Sequence, residues 1–188
     1  TMRIEPLART TAPSCALTVD VEDWYQSSVD YSAPITERVL RNMDRVRTVL
    51  DELGIKATFF VQGRVAETFP KMLRELVADG HEVQSHGYSH RPLFAMDHAS
   101  LRAELESARK SVEDASGVRV TAFRAPDFSI GRENLWALEV LVEAGFEVDS
   151  SIFPMRVQRY GIRGWERAPH RITFPSGAAI LEAPVAVT

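Results

Sequence analysis

Glu82-Val83-Gln84-Ser85-His86-Gly87-Tyr88-Ser89-His90 is the stretch that decides how this chain is read. A short run, Glu82-Val83-Gln84, leads straight into two histidines four residues apart. Such a pair can meet one metal ion on a helix, or on a loop that curls back after a strand. Gly80 precedes the run, Gly87 lies between the histidines and Pro92 follows them, so the segment reads as a strand and then a loop. Neutral imidazole suits zinc and similar divalent ions, but two histidines leave such a site short of ligands. A carboxylate, a base and groups to orient them have to come from elsewhere in the chain.

Upstream, Ala16-Leu17-Thr18-Val19 is short and β-rich and runs directly into Asp20-Val21-Glu22-Asp23-Trp24. The polar stretch from there to Pro34 reads as a long loop. From Thr36, the positions Val39, Met43, Val46, Leu50 and Leu53 recur at helical spacing, and Gly54 ends that helix. Ala57–Val61 is a second buried strand. Phe69-Pro70 opens another helix, with Met72, Leu73, Leu76 and Val77 inward and Gly80 as its stop.

Downstream, Asp97 is placed to cap a long helix carrying Leu101, Leu105, Ala108 and Val112, closed by Gly117. Val118–Phe123 reads as a fourth strand and ends on Arg124-Ala125-Pro126-Asp127. A helix around Asn134–Ala144 stops at Gly145, and Phe146-Glu147-Val148 leads a fifth strand into Asp149-Ser150-Ser151. Arg171–Phe174 and Ala178–Leu181 flank Pro175-Ser176-Gly177, the pattern of a β-hairpin. Strands alternating with helices predict an α/β fold with a parallel sheet of βαβ units.

The 188 residues, 45% hydrophobic and 26% charged, suit one globular domain with a sizeable core. A net charge of −4 leaves no polybasic footprint, so nucleic acid is not an expected partner. A single cysteine, Cys15, rules out an internal disulfide framework and reads as a small core residue. The sequence from Thr1 has no signal-peptide pattern and no later segment reads as a membrane span, which favours the cytoplasm. Thr1 ahead of Met2 reads as an added residue, so an export signal removed upstream stays open.

Each polar cluster follows a strand: Asp20–Asp23, His86 and His90, Arg124–Asp127, and Asp149. The carboxyl ends of strands are where α/β folds build their sites. Taken singly, each cluster has a bland reading: a surface histidine pair, a capped acidic turn, a structural ion pair, a strand-end cap. Four at one edge point to an enzyme. His81, His98 and Trp136 read as structural; Trp165 and His170 fall on a late loop without an assigned role.

Asp20/Asp23, His86/His90 and Arg124/Pro126 resemble, in order, three motifs of the polysaccharide deacetylases of carbohydrate esterase family four, the chitooligosaccharide deacetylase homology domain. Those are an aspartate pair after the first strand, a His-x-x-x-His loop and an Arg-x-Pro turn. Val-Asp-Val-Glu-Asp-Trp, Ser-His-Gly-Tyr-Ser-His, Phe-Arg-Ala-Pro-x-Phe-Ser and Asp-Ser-Ser-Ile-Phe-Pro further resemble a subgroup associated with exosortase and exopolysaccharide loci. The resemblance runs from about Ala16 to the carboxyl end.

The resemblance implies a distorted (β/α) barrel with fewer than eight strands, here incomplete at its carboxyl end. It also implies one divalent ion, usually zinc, and hydrolysis of N-acetyl groups from N-acetylhexosamine units of a polysaccharide or oligosaccharide. An acetamide is a poor electrophile, so an ion that polarises its carbonyl and acidifies a water is useful. A nearby carboxylate can take that water's proton, and Asp20, the first acid after the strand, is placed to do so. The metal ligands are His86, His90 and one acid. Strand alternation puts Glu22 on the face of Asp20, whereas a turn after Val21 brings Asp23 round; Asp23 is preferred and Glu22 is the alternative.

Arg124 would pair with Asp20 and hold it ionised, and the backbone N–H of Asp127 would help stabilise the oxyanion. Asp149 fits the acid that, in the family, orients a late histidine in a Leu-x-x-His segment. That segment is absent, and the Pro-His-Arg-Ile context of His170 does not match it. Trp24, Tyr88 and Phe128 are candidates to stack on sugar rings. Two other readings stand beside this one. A small-amide hydrolase without a metal is disfavoured by the retained histidines. A non-catalytic glycan-binding or scaffold domain is suggested by the missing one.

Overall fold

The computed structural model describes residues 2–7, 15–155, 157 and 160–186, and Thr1 lies outside them. In chain order the strands and α-helices are β1 (Arg3–Pro6), β2 (Thr18–Val21), α1 (Trp24–Ser28), α2 (Arg38–Glu52), β3 (Thr58–Val61), α3 (Gly63–Thr68), α4 (Pro70–Ala78) and β4 (Glu82–Ser85). They continue with α5 (His98–Ser116), β5 (Ala122–Phe123), α6 (Ala137–Glu143), β6 (Val148–Asp149), β7 (His170–Thr173) and β8 (Ala179–Glu182). This is the expected α/β alternation. The contacts gather into two compact units, and α5 has residues in both.

The first unit holds Cys15–Arg91 and Ser107–Val120. Its strands lie in the order β4-β3-β2, all parallel, with Thr18 beside Thr58 and Thr58 beside Glu82. Because the register is equal, Val21, Val61 and Ser85 end their strands at one level. Glu22, Gln62 and His86 therefore leave the sheet along the same edge. Val39, Met43 and Leu50 of α2 and Met72, Leu73 and Leu76 of α4 are buried. A fully buried leucine contributes about 1.5–3 kcal/mol, which keeps these helices on the strands.

The second unit contains residues 2–7, 92–106 and 121–186. Its strand order is β1-β7-β8-β6-β5, with β5, β6 and β8 parallel and β7 antiparallel to both β1 and β8. The expected hairpin is β7–β8; Gly177 turns it at φ 88°, a left-handed conformation that favours glycine. Asp97 caps α5 as expected, its Oδ1 accepting from the Ser100 N–H at 2.8 Å.

Several elements differ from the sequence reading. The expected fourth strand, Val118–Phe123, shrinks to Ala122–Phe123, because the Val120 N–H goes to the Glu113 side chain. The fifth begins at Val148, and the helix read around Asn134–Ala144 is a 3-10 turn, Arg132–Asn134, followed by α6. The polar stretch after Asp23 contains α1, and α3 and β1 were not anticipated. Cys15 is exposed rather than in the core; it precedes β2, where Leu17 is exposed as well. His170 lies on β7 rather than on a loop. No described helix is long and apolar enough to cross a membrane.

Candidate metal and catalytic site

In the first unit Glu22, His86 and His90 each bring one ligand atom to within 4.8 Å of the others. His86 follows β4 directly, its N–H donating to Val61 O at 3.0 Å. The chain then turns through Gly87 (φ 74°) and reaches His90 at φ 68°, a left-handed conformation unusual for a residue with a side chain. That backbone sets the imidazole centroids 5.2 Å apart with the rings 68° from coplanar. The loop is tied down by α3: Gly63 N–H donates to Gly87 O at 2.8 Å and Arg64 N–H to Tyr88 O at 3.3 Å.

The donor chemistry suits a divalent ion. His90 Nδ1 lies 3.0 Å from Ser27 O, and since a carbonyl only accepts, Nδ1 carries the hydrogen and Nε2 offers a lone pair. Nε2 faces Glu22 Oε2, a buried oxygen that no N–H or O–H donor satisfies among the described residues. Two acceptors facing each other away from water need a positive charge between them, either a proton or a metal ion. With His90 carrying the proton, burial works against the charge on Glu22. The hydrogen bond and charge of His90, the charge of His86 and a bond to Ser27 outweigh it, holding Glu22 below its ordinary range.

Asp23, the preferred third ligand, is employed elsewhere. It is the N-cap of α1 and 1% exposed, accepting from Tyr25 N at 3.1 Å and from Thr36 N and Oγ1 at 2.8 and 2.5 Å. Burial opposes its charge, but the bonds from Thr36, then Tyr25 and Gln26, prevail and lower its pKa. The turn after Val21 starts a helix whose free N–H groups claim the nearest carboxylate. The structure thus groups Glu22, the alternative, with the histidines.

Asp20 is half-buried in β2 beside Phe60, on the same side of the strand as Glu22. Both acids line a cleft of about 170 Å³ with Trp24 and Arg38. Trp24 is 62% exposed at the start of α1. Tyr88 is a buttress in its contacts: its hydroxyl donates to Glu67 Oε2 at 3.1 Å, and its ring lies against Gly63. His81 is structural as expected, its Nδ1 accepting from Ala57 N.

The second unit holds the other predicted residues. Arg124 is buried after β5, donating from Nε to Ser150 O at 3.1 Å and from Nη2 to Ser150 Oγ at 2.9 Å. Ser151 Oγ accepts from Ala125 N and donates to Asp149 Oδ1 at 2.5 Å, so Asp149-Ser150-Ser151 docks the Arg-Ala-Pro turn. Asp127 and Phe128 are both left-handed (φ 54° and 48°). Phe128 packs against Phe153 and Tyr160, lies under the Arg124 guanidinium and lines a cleft of about 270 Å³ with Phe94 and Tyr160.

Asp149 has a partner that sequence reasoning missed. The β6–β8 register places it beside Glu182, a fully buried glutamate. Burial raises both carboxyls, and the charge of Asp149 lifts Glu182 further. The available signal was a glutamate inside the apolar second strand of the hairpin. His170 faces Glu182 across β7–β8, fully buried, with Nδ1 bonded to Ala168 O.

The family description "Polysaccharide deacetylase" matches residues 8–148. A peptidoglycan deacetylase-like protein of Gibberella zeae is 34% identical over 134 residues, 70% of this chain and 38% of that protein. A chitooligosaccharide deacetylase of Sinorhizobium fredii is 32% identical over 142 residues, 74% of this chain and 56% of that protein. The crystal structure of a candidate polysaccharide deacetylase from Mycobacterium smegmatis superposes with a TM-score of 0.72 at 24% identity, covering 98% of this chain and 64% of that one. The chain therefore spans between about two fifths and two thirds of the length of these proteins. By the match of three quarters of its residues to that description, it belongs to the polysaccharide deacetylase family.

Proposed function

We propose that the protein is a metal-dependent hydrolase that removes N-acetyl groups from N-acetylhexosamine units of a polysaccharide or its precursor. The observation that carries this reading is the meeting of Glu22, His86 and His90 beside Asp20 at the ends of parallel strands. Those three residues would hold one divalent ion, with zinc expected for two imidazoles, a carboxylate and an open position. Such an ion supplies Lewis acidity toward an acetamide carbonyl and a water.

The remaining roles fall to the chain itself. Asp20 takes the proton of the attacking water, and Arg124 is the catalytic cation that the resemblance implies. The main-chain N–H of Asp127 donates to the developing oxyanion. The exposed indole of Trp24 and the ring of Phe128 offer faces on which sugar rings stack. Relatives named peptidoglycan, chitin and chitooligosaccharide deacetylases support an acetylated amino-sugar polymer as substrate. The Val-Asp-Val-Glu-Asp-Trp and Asp-Ser-Ser-Ile-Phe-Pro stretches support an exopolysaccharide as that polymer.

The test is acetate release from an acetylated chitooligosaccharide by zinc-loaded protein, followed with mass loss from the sugar. Release should stop on chelation and return with zinc. Release that ignores the chelator would favour the metal-independent amide hydrolase. No release from any acetylated amino-sugar polymer, with metal bound, would overturn the proposal.

A further inference from the structure

His90 holds a left-handed backbone, φ 68°, that a residue with a side chain keeps only where its surroundings fix it. Two adjacent residues of α1 grip this part of the loop. Ser27 O accepts from His90 Nδ1 at 3.0 Å, and Gln26 Nε2 donates to Ser89 O at 3.1 Å. The bonds from Gly63 and Arg64 fix Gly87 and Tyr88, the first half of the loop; the α1 bonds fix Ser89 and His90, the second half. All of these residues belong to the first unit, with Glu22 and His86.

The Gln26 amide can point only one way. The side chain is fully buried, and its Nε2 lies 2.9 Å from Tyr31 O as well as 3.1 Å from Ser89 O. Both carbonyls only accept, so the NH2 group faces them and Oε1 is turned away. The donor that meets Oε1 is Gln62 Nε2, at 2.7 Å. Gln62 is fully buried too, directly after β3, with its main-chain N–H donating to Val21 O at 3.1 Å. A line of donors thus runs from the end of β3 through α1 to the histidine loop. Its first oxygen, Gln62 Oε1, meets no donor among the described residues. A buried acceptor without a donor is unfavourable, so Gln62 adds little net stability while it sets the direction of Gln26.

We infer that Gln26, oriented by Gln62, is a positioning residue for the metal site: it holds Ser89 so that His90 keeps its left-handed backbone and turns Nε2 toward Glu22. The inference rests on the reading of Glu22, His86 and His90 as metal ligands. Neither glutamine touches the ion or the reacting atoms. Without the Gln26 donors, Ser89 is released from α1 and the His90 backbone relaxes away from the ligand position.

Two measurements test this, and neither needs turnover. In zinc-free wild-type protein, NMR should show a coupling across the hydrogen bond from the Gln26 side-chain nitrogen to the Ser89 carbonyl carbon. Zinc affinity is then compared among the wild type, Gln26→Met and Leu50→Ala, at a temperature where all are folded by circular dichroism. Gln26→Met keeps the bulk of the side chain and loses its donors; it should bind zinc about tenfold more weakly, the usual loss when a group that orients a ligand is removed. Leu50→Ala destabilises the same unit from α2 and should keep the wild-type affinity. Absence of the coupling overturns the inference even if Gln26→Met fails to fold. Wild-type affinity in folded Gln26→Met, or an equal loss in Leu50→Ala, also overturns it. Wild-type protein that shows the coupling but binds no zinc keeps the tie between α1 and the loop and overturns the metal reading instead.

Discussion

His90 donates its Nδ1 hydrogen to the main-chain carbonyl of Ser27, 3.0 Å away and 63 residues earlier in the chain. Ser27 lies in α1, so a five-residue helix sets the tautomer of a candidate metal ligand. Gln26 of the same helix donates from Nε2 to Ser89 O at 3.1 Å, a second tie to the histidine loop. Asp23 caps this helix and Glu22, its neighbour, faces the histidines. Two adjacent acids thus have separate jobs, and they can be told apart.

Glu22→Ala and His86→Ala should abolish stoichiometric zinc binding, measured by elemental analysis of purified protein. Asp23→Asn should keep the zinc and lose about 1–2 kcal/mol of stability as the cap and the Thr36 bonds fail. Loss of metal in Asp23→Asn, with none in Glu22→Ala, would return the ligand role to Asp23.

Asp20→Asn changes little volume and removes a proton acceptor. The variant should retain zinc and fold, and its turnover should fall about a hundred- to ten-thousandfold, the usual span of general-base catalysis. Wild-type rates in steady-state assays would place the base elsewhere.

Gly63 has no room for a side chain. A Cβ there would lie 2.6 Å from Tyr88 Cδ2 and 3.2 Å from Tyr88 Cα. Gly63→Ala should therefore cost about 1–3 kcal/mol in denaturant unfolding and weaken zinc binding, because relief requires the histidine loop to move. Unaltered zinc affinity would mean that Tyr88 yields without its backbone.

Trp24 is 62% exposed, so Trp24→Ala should leave the melting temperature nearly unchanged. If its indole stacks on sugar, KM for a long oligosaccharide should rise several-fold, about 1 kcal/mol of lost aromatic contact. An unmoved KM removes Trp24 from the binding surface.

Stability should fall on the alkaline side. Burial first, and then the charge of Asp149, hold the Glu182 proton well above the ordinary value of 4.5. The unfolded chain releases that proton near 4.5. Between there and the higher folded value, unfolding frees a proton, so rising pH favours the unfolded state by up to about 1.4 kcal/mol per pH unit. The contribution is complete below 4.5 and gone above the folded value. Melting curves at fixed zinc loading should show this slope in the wild type and not in Glu182→Gln; matching slopes would assign it to another group.

The α/β alternation, the hairpin and the strand-end position of the histidines were legible because side-chain periodicity and glycine stops are local. The fourth strand was overread: Val118–Val120 has strand composition, yet a glutamate from α5 takes the Val120 N–H. The choice between Glu22 and Asp23 was open for a similar reason. Alternation favoured one acid and a turn the other, and the start of α1 decided the matter.

The sequence by itself determined the class of fold, the family and the inventory of reactive groups, since each follows from residue types at short spacings. Only the tertiary structure decided which acid joins the histidines, which nitrogen of His90 carries the hydrogen, and that Asp149 meets Glu182. Those are contacts between residues far apart in the chain. They depend on strand register and on where a helix begins, quantities set by the packing of the whole unit rather than by any neighbouring residue.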